Sequence, residues 1–426
     1  MELRTRRDSP WLALILLTGV ATVGFIDRII VNVLVEPIKT EFGLTDTQMG
    51  LLTGLAFAVL NVSLGIVVAR VAERRRRLTL IAFGTFAWSI ATALCGMVSN
   101  WIQLLFARIG VGVGEAVGLP ANQSVIADYF PPHRRATAMS VLLLAPPIGA
   151  FLGSAGGSWI GQEFGWRMAF IAAAVPGIIL SILVFLFIVE PPRGRHDTGD
   201  VETVPSVGAV LERFWRLPSA RHLVIGSTLA SMVGFGLNAF FAALMMRKFE
   251  LSLLEAGLYA GLLASFPATI SVLAGGWLAD RLGPKRPSAY ALVPGISLLI
   301  GFPLYAYAMT MDALVPLLVL VTIAALFQYT YLGCTYGTLQ NMMHPRMRAT
   351  ASALVNAVYS MLGGGLGPLL IGGLSDHFQA GGSEAGQALA MAMMVAVFFY
   401  LWAGTHYLLA ARHVGPDLAT VREGRI

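Results

Sequence analysis

The segment GWLADRLGPKRP at residues 276–287 follows GIVVARVAERRR at 65–76 by 211 positions, and NMMHPRMRATA at 341–351 follows DYFPPHRRATA at 128–138 by 213 positions. All four segments sit between long apolar runs. Two paired motifs at nearly one offset indicate an internal duplication, as in membrane proteins built from repeated sets of helices. The composition agrees. Of 426 residues, 56% are hydrophobic and only 12% are charged, and the mean hydropathy is +0.73. A soluble domain carries about 25% charged residues. This composition excludes an ordinary cytosolic enzyme, a disordered chain and a nucleic-acid-binding module, and leaves a polytopic helical membrane protein.

A helix needs about 20 apolar residues to cross the hydrocarbon core. Twelve such spans are predicted, at 11–35, 47–69, 78–98, 102–127, 136–162, 167–189, 222–246, 255–279, 287–310, 313–342, 348–375 and 386–411. The runs are continuous and not alternating, so they read as helices. The basic start MELRTRR leads into the first span without a cleavage site, so that span is expected to be retained. Cys95 and Cys334 both lie in apolar runs and read as packing residues. Neither a disulfide, a metal nor a cofactor is expected.

With an even number of spans both termini share one side. Of the 29 Lys and Arg residues, 23 then fall on the side of the termini and four on the other, namely Lys39, Arg167, Arg247 and Lys248. The positive-inside rule makes the termini cytoplasmic. The one sizeable segment between spans is 190–221. Its start, EPPRGRHDTGD, reads as linker. Its continuation, SVGAVLERFWRLPS, places Val207, Val210, Leu211, Phe214 and Leu217 at helical spacing, which predicts a short amphipathic helix on the cytoplasmic surface. The chain divides accordingly into a first six-helix bundle at 1–189, a linker at 190–221 and a second bundle at 222–426. The arginine run at 74–77 is expected to set topology and meet anionic head groups.

Ten of the twelve spans carry no Asp, Glu, Lys or Arg away from their ends. The first holds Asp27 and Arg28, and the fourth holds Arg108 and Glu115. A charge at the bilayer centre costs about 3 kcal/mol or more unless it pairs or faces water. Four such groups on two helices imply that those helices face each other or one polar cavity. Arg108 and Glu115 lie seven residues apart, about 10.5 Å along one helix face. Asp27–Arg108 and Arg28–Glu115 are the expected pairs. Gly110, Gly114 and Gly118 on the fourth span predict close helix packing, as do Gly149, Gly153 and Gly157 on the fifth. Pro120 is expected to bend the fourth span, and Pro146 with Pro147 the fifth; GGGLGPLLIGG at 363–373 does the same in the eleventh.

These features resemble the major facilitator superfamily of secondary transporters. GWLADRLGPKR at 276–286 resembles its signature loop, RIGVGVGEAVGLPANQSVIADYFPPHRRATA at 108–138 its fourth-helix motif, and GWRMAF at 165–170 the start of its sixth helix. The first copy of the loop departs, with Ala69 where the second has Asp280. The resemblance implies twelve helices in two pseudo-symmetric bundles, with spans 1 and 4 lining a central cavity. It also implies a cytoplasmic gate motif at Gly276, Asp280 and Arg281. FIDRIIVNVL at 25–34, with the Glu115-containing motif, is similar to the spinster branch, which implies a lysolipid or sphingosine-1-phosphate-like solute.

The expected function is therefore a secondary active transporter of an amphipathic anion, working by proton-coupled alternating access as a monomer in a plasma membrane, such as a bacterial inner membrane. Asp27, Arg28, Arg108 and Glu115 would form the proton-coupling network, with Arg28 holding the head group by its planar fork. Phe25, Asn122, Phe235, Asn238, Phe241, Met245, Tyr329, Tyr336, Asn356 and Tyr359 are candidate cavity-lining residues. The competing reading is a proton-coupled exporter of drugs or small organic acids. An enzyme is not expected: no HExxH or GxSxG pattern occurs, and the seven histidines read as unclustered, with His406 alone in the last span. A receptor would not explain the duplicated halves or the two-helix charge cluster.

Overall fold

The computed structural model describes residues 9–59, 63, 76–116, 118–192, 195, 206–343 and 347–422. The first loop copy at 65–75, including Ala69, lies outside these residues, as do Arg4, Arg6, Arg7, His196 and His344 and the side chain of His133. Among the described residues the chain is entirely helical. Ten stretches of the described residues are long and apolar enough to cross a bilayer. Of the expected spans, the second falls partly outside the described residues and the fourth is divided in two.

The first half of the chain contains α1 (Pro10–Val33), α2 (Val35–Phe42), α3 (Asp46–Gly50), α4 (Arg77–Cys95), α5 (Trp101–Glu115), α6 (Gly118–Tyr129), α7 (Pro132–Leu142), α8 (Ala145–Phe164) and α9 (Trp166–Phe187). The helix begun by α3 continues through a π-helical turn at Leu51–Leu55. Then come α10 (Val207–Arg216), α11 (Pro218–Phe249), α12 (Leu253–Leu282), α13 (Ala289–Met309), α14 (Leu314–Gln328), α15 (Thr330–Met342) and α16 (Arg348–Val358). A second π-helical stretch, Tyr359–Gly365, joins α16 to α17 (Leu366–Ala380), and α18 (Ala385–Val397) and α19 (Phe399–Arg422) complete the chain. The expected amphipathic helix is α10, capped at its start by the Ser206 hydroxyl.

The breaks have local causes. Pro120 has no N–H to give the carbonyl of Ala116, and the fourth span parts between Glu115 and Gly118. Pro146 and Pro147 stand in the first turn of α8, where a missing N–H costs little. Phe83, Phe106, Phe185, Leu273 and Val315 lie exposed on the outside of the helices, the expected arrangement for surfaces that meet lipid.

Small residues set the helix spacing. A Cβ on Gly149 would meet Phe25 and Thr22, one on Gly153 would meet Ile26, and one on Gly157 would meet Ile30. The glycine line of α8 therefore seats directly on α1. Gly114 of α5 lies against Trp88 of α4, and Gly110 against Ala91.

Two faces follow from the contacts. At one end Glu36, just after α1, reaches Arg247 at the end of α11. The starts of α1 and α11 thus share the opposite end, where Trp11 packs edge-on against Phe130 and Ser219 meets Asp417 near the end of α19. These are called here the far face and the termini face. Contacts between the two halves of the chain run from the far face inward. α3 and its π-helical continuation cross α17, with Gly50 at Pro368 and Gly54 at Gly364 and Gly365. α8 crosses α12, from Gln162 at Leu254 to Pro147 at Ser265.

Gly114→Ala is expected to destabilise the protein by about 1–3 kcal/mol, because its Cβ would stand 2.5 Å from the Trp88 Cβ and 2.7 Å from the Trp88 backbone nitrogen. Thermal unfolding in detergent measures it, with Gly156→Ala, where no atom lies within 4 Å, as the matched control.

Candidate functional site

α1 and α5 bring all four mid-span charges together. Arg28 Nε donates to Glu115 Oε2 at 2.6 Å. The Glu115 side chain is 3% exposed, whereas that of Arg28 is 41% exposed. The guanidinium of Arg28 sits 5.3 Å from the Phe25 ring and 5.1 Å from the Phe57 ring. Arg28 and Glu115 border one cavity together with Phe25, Trp88 and Asn122. Among the described residues the terminal amines of Arg28 donate no hydrogen bond, and Glu115 Oε1 and Asn122 Oδ1 accept none. Asn122 Nδ2 is turned the other way, to the Leu17 carbonyl at 3.4 Å.

The second expected pair takes a different form. Arg108 Nη1 donates to the backbone carbonyl of Asp27 at 3.0 Å and not to its carboxylate. Among the described residues neither carboxylate oxygen of buried Asp27 has a hydrogen-bond partner. The cluster is thus layered, with Asp27 and Arg108 fully buried and Arg28 open to the cavity.

The candidate lining residues separate into two groups. Phe235 is exposed and stands edge-on to Tyr359, centroids 5.3 Å apart. Asn238 Nδ2 donates to the Tyr329 hydroxyl at 2.8 Å. Tyr336 is half-buried and Asn356 exposed. Phe241 and Met245 are instead buried within the helix packing.

Three further arrangements were not expected. First, Arg77 is not a free surface cation. It is buried between α4, α6 and the end of the sixth span, paired with Asp128 at 2.5 Å and Glu190 at 2.8 Å. Second, His406 is not alone: its Nδ1 lies 2.9 Å from Nδ1 of His222 across α11 and α19. Third, an ionic latch closes the far face. Asp46 is fully buried and accepts from both terminal amines of Arg247 at 2.7 Å, from Lys39 at 2.6 Å, from Ser375 and from Gln379. Arg247 also pairs with Glu36. From α17, Asp376 caps α3 by accepting the backbone N–H groups of Asp46 at 2.9 Å and Thr47 at 2.7 Å. Lys248 pairs with Asp312, and Arg167 with Glu41. All four far-face cations are therefore engaged, and their scarcity was the one hint in the sequence. On the termini face, by contrast, Asp280 is exposed with no bonded partner among the described residues, and Arg281 lies over Trp277. The close glycine of that loop is Gly275, against Thr330; nothing lies within 4 Å of a Cβ on Gly276.

Burial pushes the Asp46 carboxyl up, but the Arg247 guanidinium, Lys39 and Ser375 outweigh it and hold the group well below the usual carboxylate range. The Arg167 guanidinium and Trp166 indole likewise hold Glu41 down.

A helical bundle that keeps paired charges midway along long apolar helices, and ties its two halves together at one face by buried ion pairs, has the build of a membrane transporter. The Major Facilitator Superfamily model matches residues 16–368, and this chain belongs to that family. It is 31% identical to an MFS-type efflux pump of Mycolicibacterium smegmatis, over 95% of this chain and 93% of that protein. It is 25% identical to the sphingosine-1-phosphate transporter of Danio rerio, over 95% of this chain and 85% of that protein. A crystal structure of a bacterial homolog of the human lysosomal transporter Spinster, in an inward-facing and unoccupied conformation, matches with a TM-score of 0.88 at 30% identity, covering 96% of this chain and 98% of that one. The chain is a spinster-like transporter and not an enzyme.

Arg247→Gln is expected to open the far face. It leaves buried Asp46 with Lys39 as its only cation, a loss of about 3–5 kcal/mol for a broken buried pair. Spin-label distances between the far ends of α1 and α11 measure it, and should lengthen. The pH dependence has a definite sign. Asp46 and Glu41 have folded values below their ordinary ones of about 3.9 and 4.3. Their contribution to closure is complete above those values and is lost as pH falls through the lower folded ones. The same distances should therefore stay constant from about pH 8 to about pH 5.

Proposed function

We propose that this chain moves an amphipathic anion by proton-coupled alternating access, the solute class being that named for the Danio rerio relative. The observation that carries this is the state of Arg28. Its Nε is tied to Glu115 inside the membrane, yet two-fifths of the side chain is open and its terminal amines are unengaged. Those amines fit a phosphate or carboxylate oxygen pair, flanked by Phe25 and Phe57 for the adjoining apolar part. Arg28 can thus hold a head group without first releasing Glu115. Phe235, Asn238, Tyr329, Tyr336, Asn356 and Tyr359 supply the uncharged wall opposite, where a tail would lie.

In this reading Glu115 and Asp27 are the proton sites. A proton on Glu115 removes the charge that holds Arg28 Nε, so proton binding and solute binding meet at one guanidinium. Arg108 positions Asp27 through its backbone carbonyl. The architecture is taken as twelve spans in two bundles, 1–189 and 222–426, joined by 190–221. The termini face is taken as cytoplasmic, supported by the 23-to-4 distribution of Lys and Arg. The latched far face then makes this an inward-facing state, in a monomer of a bacterial inner membrane. The unbonded Asp280 fits a cytoplasmic gate that is open in this state.

A second reading, export of drugs or small organic acids, is favoured by the 31% identity to the mycobacterial efflux pump. Ligand-dependent thermal stabilisation across lysolipids, sphingoid phosphates and cationic drugs separates the two.

In proteoliposomes, Glu115→Gln and Asp27→Asn are expected to lose most of the part of transport driven by a pH gradient, because each variant removes a carboxylate that would carry the proton. Transport that ignores the gradient in the wild type would defeat the coupling. Arg28→Lys keeps a cation beside Glu115 but loses the planar fork. It should weaken solute affinity by about tenfold, a charged hydrogen bond being worth about 1.5–3 kcal/mol, while leaving the melting temperature nearly unchanged.

A further inference from the structure

The helix α10 has two apolar faces, and only one of them is covered. On the covered face Val210 is fully buried against Met343 and Ala351, with Phe214, Met347 and Leu354 around them. Arg213 Nε donates to the Met342 carbonyl at 2.9 Å, and the Ser206 hydroxyl caps the first turn. The helix is therefore seated on the end of α15 and on α16. On the adjoining face Val207, Leu211 and Trp215 recur every four residues and form one line. They are 46%, 52% and 74% exposed.

We propose that this line is a docking surface for an anionic bilayer surface, with Trp215 and Leu211 entering the boundary between head groups and acyl chains. Charge and residue type point to that occupant. The Arg221 guanidinium lies 5.5 Å from the Trp215 ring, the pairing of indole and cation suited to a membrane interface. Arg216, tethered to Glu212 on the same exposed side, adds a second cation beside the line. Exposed Arg281 in the last turn of α12, with exposed Lys285 and Arg286 just beyond it, outnumbers the adjacent exposed Asp280 and leaves this end of α12 net positive at the termini face. A basic patch beside exposed tryptophan attracts acidic lipid over a Debye length and is held there by the buried apolar area. Through Val210 and Phe214 the bilayer surface is then coupled to α16. The inference needs only a chain embedded in a bilayer, and its failure would leave the transport reading untouched.

The test uses the full chain and Trp215→Phe in nanodiscs of phosphatidylcholine, alone or mixed with phosphatidylglycerol. The difference between the two fluorescence signals isolates Trp215 among the eight tryptophans. Brominated acyl chains should quench that difference signal by about twofold or more, and aqueous iodide should leave it unaffected. Phosphatidylglycerol should strengthen the bromine quenching, and Arg216→Gln with Arg221→Gln should remove that increment. A Trp215 signal quenched by iodide and untouched by bromine would overturn the proposal. So would shielding that appears only when a second protein is added.

Discussion

A charge placed in hydrocarbon must be neutralised by a neighbour or reach a polar opening, and this constraint arranges Arg28 and Glu115 at the centre of the chain and the ion pairs at its two ends. It is met in two ways at mid-depth. Arg28 reaches the opening and holds Glu115 with one nitrogen. Arg108 is sealed in and donates from Nη1 to the carbonyl of Asp27, while its Nε has no hydrogen-bond partner among the described residues. Among the described residues the carboxylate of Asp27 is the one ionisable group of the four with no hydrogen bond. That asymmetry divides the layered cluster into one pair that borders the cavity and one that is buried behind it.

The same constraint governs the two ends. On the far face Asp46 is fully buried and gathers Arg247, Lys39, Ser375 and Gln379 around it, with groups drawn from both halves of the chain. Close approach there depends on glycine as much as on charge, since Gly50 and Gly54 let the backbone meet Pro368, Gly364 and Gly365. At the termini face the buried triad of Arg77, Asp128 and Glu190 lies wholly within the first half. One end is therefore bonded across the halves. The triad at the other end ties α4, α6 and the end of the sixth span to one another.

What could be read from the sequence was local. Helix placement follows from run length, and the break at Ala116 follows from the missing N–H of Pro120. The seating of α8 on α1 follows from glycines four residues apart. The Arg28–Glu115 pair was legible because so few charges lie within spans that they must meet. Other contacts carry no local signal. Asp46 and Arg247 are separated by 201 positions and His222 and His406 by 184, and no pattern within either segment names its partner. Arg77 was misread because a run of four arginines looks solvated, whereas only the fold reveals that its last member turns inward. Phe57, which underlies Arg28 and also stands 5.8 Å from Arg108, is one phenylalanine among 23.

The π-helical turns at Leu51–Leu55 and Tyr359–Gly365 stand opposite each other where the two halves cross, with Gly54 against Gly364 and Gly365. A π turn holds an extra residue within an α-helix and is frequent at functional sites. The two halves thus meet where both backbones depart from regular α-helical geometry, with the Asp46 cluster a turn or two before one π stretch and α16 directly before the other.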